Sequence, residues 1–389
     1  MEYSTRKTRV EVDLSRLQHN YLHLRNLHSQ QRIMTVVKAD AYGQGLLPIS
    51  RFLQGLGQDL FGVALVEEAI ALRQGGVTGR ILVLSPPQFG SRSLYADHQI
   101  EMTVPSLHHL TQALGHPGEG AVQAHLKLDT GLGRIGLQKE NLAELFRLLT
   151  SSNFDPARLK IIGVFSHLAE SENLESDFAE RQRERFDSWC GELGSHPALR
   201  QLERHLANSA GLLRGAGFHY DYARVGYALW GPQDFSPAGQ APQSNAALQQ
   251  VTRLVCPISH LKTLQAGDTV GYSRTYQAQA NESIATLPIG YGDGFPRALS
   301  NRGQAAIHGQ RVPIVGNVSM DQTTISLGTE NKISARVGDA VVLLGDGPEE
   351  PRLNDMARAA GTIGYEVLTR LNRRLPRVYL YNGKEVPAP

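Results

Sequence analysis

Cysteine is scarce in this sequence, with two residues in 389, so neither a disulfide framework nor a cysteine-built zinc cluster is available. Cys190 falls in a helical pattern and Cys256 in a strand pattern, and both read as buried, reduced thiols. An excess of one charge is also missing. Thirty-nine Lys and Arg stand against 37 Asp and Glu, scattered without blocks, which excludes the basic footprint of a nucleic-acid binder. The apolar runs, such as Ile161–Phe165 and Ala340–Leu344, have strand length, far short of the ~20 residues a membrane helix needs. The start, MEYSTRKTRVEV, has no apolar stretch of a secretory signal. The expectation is a cytoplasmic protein with no membrane and no nucleic-acid partner. There is no G-x-x-x-x-G-K-[ST], no H-E-x-x-H and no internal repeat, and no metal site is expected.

What is present is a chain long enough for two domains, with a change of pattern near its middle. From Arg9 to about Gly231, eight β-branched runs alternate with helix-period segments: Ile33–Val37, Leu60–Leu65, Ile81–Leu84, Glu101–Val104, Ala124–Leu128, Leu159–Phe165, Glu203–Ala207 and Tyr222–Tyr227. Leu142, Leu145, Phe146 and Leu149 form one helical stripe. Leu14, Leu17, Tyr21 and Leu24 form another behind Asp13 as N-cap. Eight strands with helical spacers predict a (β/α)8 TIM-like barrel over residues 1–242. Residues 232–250, rich in Pro, Gln, Ser and Ala, read as a connection. The remainder, 243–389, predicts a mainly β domain with strands at Leu254–Leu261, Ser283–Ile289, Val312–Val315, Thr323–Leu327, Ala340–Leu344 and Val378–Tyr381, and a helix from about Leu353.

One motif is a decoy. GLGRIG (Gly131 to Gly136) matches the dinucleotide fingerprint, but Asp129 and Thr130 separate it from the strand and no acidic residue ends the next strand. The informative segment is TVVKADAYGQG (35–45). A lysine after an apolar strand is ordinarily a snorkelling charge. Lys38, however, sits at the carboxyl end of the first barrel strand, where this fold places its chemistry. Lys127, Arg134, His167, His205, Asn208, Ser209 and Arg224 recur at the same end of later strands. The other histidines read by default as isolated surface or core residues. A desolvated lysine beside cations has a depressed pKa and is a nucleophilic amine.

TVVKADAYGQG resembles the pyridoxal-phosphate attachment segment of the alanine racemase family, usually close to V-V-K-A-N-A-Y-G-H-G. Further blocks agree in the family's order: HLKLDTGLGRIG (125–136), GVFSHLAESE (163–172), HLANSAG (205–211), RVGYALWG (224–231), VGYSRTY (270–276), IGYGDGFPR (289–297), VGNVSMDQ (315–322) and IGYEVLTRL (363–371). The resemblance spans nearly the whole chain. It implies a racemase that interconverts L- and D-alanine, with Lys38 holding the cofactor and acting on one face of the substrate. Tyr272 is implied as the second base on the other face, because returning a proton to either side of a planar carbanion needs two groups.

The same resemblance assigns the cofactor phosphate to Tyr42, Ser209, Gly226, Tyr227 and Tyr365, with Asn208 beside them. Arg224 is implied to face the pyridine nitrogen, with His205 orienting it and His167 packing against the ring. Arg134 and Met320 are implied at the substrate, and Asp321 and Tyr291 in support. Lys127 matches a lysine that is carbamylated and holds Arg134. In the family, Tyr272 and the Met320–Asp321 loop come from the partner subunit, so a homodimer with shared sites is expected. Asp40, Gln44, Glu172, Asn317 and the SRTY turn depart from the usual pattern near the entrance and leave strict preference for alanine over serine or larger amino acids open. The alternatives are a barrel-type pyridoxal-phosphate decarboxylase, which would carry a cysteine segment near the C-terminus, and a single-barrel cofactor-binding protein, which would lack the β domain.

Overall fold

The computed structural model describes residues 5–27, 32–88, 90–115, 120–152, 154–236 and 240–389. Its contacts divide the chain into two units: 18–41 with 46–248, and 1–17 with 42–45 and 249–388. The sequence expectation of one boundary after residue 242 therefore meets an interleaved chain. Residues 1–4, and 237–239 of the expected connection, lie outside the described residues.

The first unit carries all eight expected barrel strands: Arg32–Val36, Leu60–Val63, Arg80–Val83, Met102–Val104, Val122–Lys127, Leu159–Phe165, Glu203–His205 and Tyr222–Val225. Each pairs in parallel with its neighbour or is joined to it by backbone bonds. The bridge Leu82–Glu101 joins the third to the fourth. Asp221 N–H to the Arg204 carbonyl at 3.0 Å and Arg224 N–H to the Ala207 carbonyl at 2.9 Å join the seventh to the eighth. Tyr222–Val225 closes the ring on Arg32–Val36, with Arg224 opposite Met34. The strands read clearly in sequence because most of their residues are buried, as parallel strands covered on both faces must be. In the helix Leu142–Thr150 the expected stripe holds, with Leu142, Leu145 and Leu149 buried.

The second unit is mainly β. Its seven-stranded sheet runs Gln310–Pro313, Gln304–Ile307, Ala340–Leu344, Thr252–Pro257, Arg9–Asp13, Arg377–Tyr381, Lys384–Val386. A three-stranded sheet joins His260–Leu264, Glu282–Leu287 and Thr323–Thr329. Two expectations change here. The N-terminal strand Arg9–Asp13 lies in this sheet, not in the barrel, antiparallel to Thr252–Pro257 and parallel to Arg377–Tyr381. The run Leu254–Leu261 is two strands, parted where Ile258 N–H turns to the Asp339 carbonyl and Ser259 N–H to the Thr286 carbonyl. Asp13 caps the helix Leu14–Asn26 as expected, its Oδ1 accepting from Ser15 and Arg16 N–H at 2.9 and 3.1 Å. Among the described residues, no helix is long and apolar enough to cross a membrane.

Candidate active site

Lys38 opens a short helical segment, Lys38–Gly43, whose backbone is left-handed: φ is 54° at Ala39, 57° at Asp40, 52° at Ala41 and 57° at Tyr42. Four non-glycine residues in that region cost about 1–2 kcal/mol each, so surrounding bonds must hold them. Glu68 does so on the barrel side. Its Oε1 accepts from Ala39 N–H at 2.6 Å, and its Oε2 accepts from Ala64 and Leu65 N–H at 2.9 and 3.1 Å. Asp40 Oδ1 accepts from Leu46 N–H at 2.8 Å. Gln44, expected at an entrance, is buried within the β unit, donating to the Tyr42 carbonyl and accepting from the Thr252 hydroxyl. Both departures from the family pattern therefore brace the backbone after Lys38. Burial lowers the pKa of the Lys38 amine, Arg134 and Arg224 push it the same way, and Glu68 opposes them.

The barrel rim gathers four cations. Lys127 is 2% exposed and its amine is pushed down to about 7, first by burial and then by Arg224 and Arg134, against Asp129. It donates to the Leu128 carbonyl at 2.9 Å and lies 5.1 Å over the Phe165 ring. The glycine loop beside it winds around Asp129, whose carboxylate accepts from Gly131, Gly133 and Arg134 N–H at 3.0–3.1 Å. The dinucleotide look-alike is thus an Asp-centred turn, followed by a short 3-10 turn, Lys139–Asn141, with no phosphate-binding helix directly after it.

Arg224 is held from several sides. Its Nη1 donates to His205 Nδ1 at 3.0 Å and to the His205 carbonyl at 2.9 Å. Its Nη2 donates to the Ser166 and Leu206 carbonyls at 2.6 and 3.0 Å and to His167 Nδ1 at 3.0 Å. None of these bonds uses the Nε–H. Burial pushes the guanidinium pKa down to about 10, lower than the sequence suggests but still cationic at neutral pH. Burial and Arg224 drive both histidines well below their usual range, so both are neutral. Next to it, Ser209 Oγ accepts from Gly226 and Ala228 N–H at 3.1 and 3.3 Å, leaving the hydroxyl hydrogen to donate. Asn208 caps the turn, its Oδ1 accepting from Gly211 N–H and the Ser171 hydroxyl at 2.9 and 2.7 Å.

The β unit holds the remaining expected residues in two places. Tyr42 and Tyr365 face each other with ring centroids 6.2 Å apart. Tyr272 is 74% exposed on a turn where Gly271, Ser273 and Arg274 have φ of 70°, 60° and 48°. Asn317 pins that turn by donating to the Tyr272 carbonyl at 2.9 Å, a role sequence reading missed. Tyr291 N–H bonds the Ser319 carbonyl at 3.0 Å and Gly292 N–H the Met320 carbonyl at 2.8 Å, fixing the Met320–Asp321 loop. Arg374 bonds Asp321 at 2.6 Å and Asp293 at 3.3 Å. Glu68 was also missed: beside Glu67 at the start of a helix, it looks like any first-turn acid.

Lys38, Lys127, Arg134 and Arg224 together make a field suited to an anionic ligand. A desolvated Lys38 amine, an Arg224 Nε–H that none of the bonds above uses, and a Ser209 hydroxyl hydrogen left to donate fit pyridoxal phosphate: an amine for its aldehyde, a donor for its ring nitrogen, a donor for its phosphate. A barrel of this kind with a lysine at the end of its first strand defines the class of barrel-fold pyridoxal-phosphate enzymes. Residues 12–234 match the model of the alanine racemase N-terminal domain, and residues 251–379 that of the C-terminal domain. The chain belongs to the alanine racemase family, which depends on pyridoxal phosphate. It is 38% identical over 382 residues to the alanine racemase of Symbiobacterium thermophilum, covering 96% of this chain and 97% of that protein. The Carboxydothermus hydrogenoformans alanine racemase is 35% identical over 379 residues, 95% of this chain and 99% of that one. A crystal structure of alanine racemase from D-cycloserine-producing Streptomyces lavendulae matches with a TM-score of 0.89 at 32% identity, over 97% of this chain and 98% of that one. The Bacillus anthracis alanine racemase with bound L-Ala-P matches at 0.88 and 32%, over 99% of this chain and 97% of that one.

Proposed function

We propose that this protein is an alanine racemase, interconverting L- and D-alanine with Lys38 and Tyr272 as its two bases. The observation that carries the reading is the Lys38 amine, desolvated at the barrel rim beside Arg134 and Arg224. Bound pyridoxal phosphate supplies electron withdrawal that acidifies the amino acid's Cα–H. Lys38 anchors the cofactor and moves the proton on one face. Tyr272 of the partner subunit moves it on the other, and its exposure on a braced turn suits a group that acts on a second copy of the chain. Arg224 donates to the ring nitrogen and keeps its own proton, because its pKa of about 10 stays above neutral pH. An Arg224 that keeps its proton in this way would leave the ring nitrogen unprotonated and so would favour return of a proton to Cα over side reactions.

Ser209, Gly226 and Tyr227, with Tyr42 and Tyr365, hold the phosphate. Asn208 shapes their turn, and His167 packs against the ring. Arg134 and Met320 receive the substrate, with Asp321 and Tyr291 in support. The neutral Lys127 amine, which its lowered pKa permits, adds to carbon dioxide and gives up one N–H proton to solvent, and the carbamate anion so formed holds Arg134 in place of mutual repulsion. In this reading the cofactor domain extends to residue 242 and residues 243–389 deliver the second base. The protein works as a cytoplasmic homodimer supplying D-alanine for peptidoglycan or degrading it. The free thiols Cys190 and Cys256, each raised to about 12 by burial, suit a reducing compartment. Incubation with a panel of L-amino acids and chiral separation of the products tests the reading. D-alanine should dominate; formation of an amine with release of carbon dioxide would replace it with the decarboxylase.

A further inference from the structure

Behind Arg224 a continuous line of polar groups crosses the barrel interior. His205 Nδ1 lies 3.0 Å from Arg224 Nη1, and His205 Nε2 lies 3.1 Å from His125 Nδ1. His125 Nε2 is 3.0 Å from Glu101 Oε2, and Glu101 Oε1 is 2.5 Å from Arg80 Nε. Arg80 also binds Glu203 through both terminal nitrogens, at 2.9 and 2.7 Å. Both histidines are fully buried, and Glu101 is nearly so. The His205 ring is clasped between Phe165 at 4.7 Å and Tyr222 at 4.3 Å. The Tyr222 hydroxyl also reaches 3.4 Å from His125 Nδ1. Gly163 leaves the room that the His125 ring occupies, since a Cβ there would overlap it.

The two ends of this line dictate its direction. A guanidinium only donates and a carboxylate only accepts. His205 Nδ1 must therefore accept, which puts its proton on Nε2, where it donates to His125 Nδ1. That leaves the His125 proton on Nε2, pointing at Glu101. A doubly protonated His125 would reverse the middle bond and set an N–H of His205 against an N–H of Arg224. The line has one consistent arrangement: Arg224 sets its direction, and Glu101, held by Arg80, accepts at its far end.

We propose that His125 and Glu101 are positioning residues that hold the His205 ring in place as an acceptor and so fix the orientation in which the Arg224 guanidinium donates toward the cofactor. The proposal rests on the racemase reading only for its effect on catalysis. A purely structural network would be replaceable by apolar groups at little cost, so the test must read protonation as well as stability. Protein labelled with 15N-histidine reports which nitrogen of each ring carries hydrogen, before any cofactor is added. The geometry predicts hydrogen on Nε2 of both His125 and His205. Glu101→Leu leaves the His125 Nε2–H without its acceptor and should disturb the pattern at His125 first, whereas Glu101→Gln, whose amide oxygen still accepts, should keep it. After loading with pyridoxal phosphate, the visible chromophore of Glu101→Leu should titrate about one pH unit or more away from wild type. Its kcat should fall about 10–100-fold, with KM little changed. If Glu101→Leu does not fold, His125→Gln and Gly163→Ala, which displaces the His125 ring, read the same signals. A folded variant with unchanged nitrogen pattern and unchanged chromophore overturns the proposal. A wild type that shows the nitrogen pattern but does not racemise alanine overturns the functional reading and leaves the lock standing.

Discussion

Replacing Lys127 with methionine should make the cofactor-free protein more stable, by an amount that depends on pH. Unfolded, this amine keeps its proton up to about 10.5; folded, it releases it at about 7. Between those values unfolding takes up a proton, so wild-type stability rises as pH climbs from 7 to 10.5 and is lost on the way down. At 1.36 kcal/mol per pH unit, the burden at and below pH 7 reaches about 5 kcal/mol, a ceiling that relaxation of the site trims. Lys127→Met keeps most of the apolar stem and removes the charge. Urea unfolding in carbon-dioxide-free buffer should show the variant ahead by a few kcal/mol at pH 6.5, with the two curves converging near pH 10.5. Added bicarbonate at pH 7.5 should stabilise the wild type alone, since a carbamate beside Arg134 and Arg224 turns repulsion into attraction. A stability difference that stays constant from pH 6.5 to 10.5 would refute the reasoning.

Lys38→Ala should bind pyridoxal phosphate without the borohydride-reducible linkage of the wild type; mass spectrometry after reduction reads the outcome. Mixing inactive Lys38→Ala chains with inactive Tyr272→Phe chains should restore part of the turnover, because a mixed dimer holds one intact site, and exchange of subunits without recovered activity would contradict sharing. Gly294 sits at φ 90°, where a Cβ would overlap the Arg370 carbonyl, so Gly294→Ala should lower stability by about 1–3 kcal/mol in thermal unfolding.

The barrel was legible because parallel strands buried on both faces write continuous apolar runs, and all eight expected runs carry strands. Arg9–Asp13 was not, because its partners lie 240 or more residues away and its half-polar alternation names no sheet. Gln304–Ile307 escaped as well, since Gln-Ala-Ala-Ile has no strand signature of its own. At the site, the residues that matched the family's motifs could be named. The supports could not: Glu68, His125, Glu101 and Asn317 act through partners that only the fold brings near. The left-handed turn after Lys38 is illegible for another reason: Ala39, Asp40, Ala41 and Tyr42 include no glycine to announce a positive φ.

The two-base account is tested most directly by α-proton exchange in Tyr272→Phe. The substitution removes one hydroxyl and nearly preserves volume, while Lys38 and the groups around Arg224 are untouched. In heavy water, proton NMR of the α-position should show the variant exchanging the α-proton of D-alanine with solvent while L-alanine stays almost unchanged and net racemisation collapses. If Tyr272 merely packs, racemisation stays near normal. Exchange from both enantiomers at comparable rates would mean that Lys38 serves both faces, and the two-base assignment would fall.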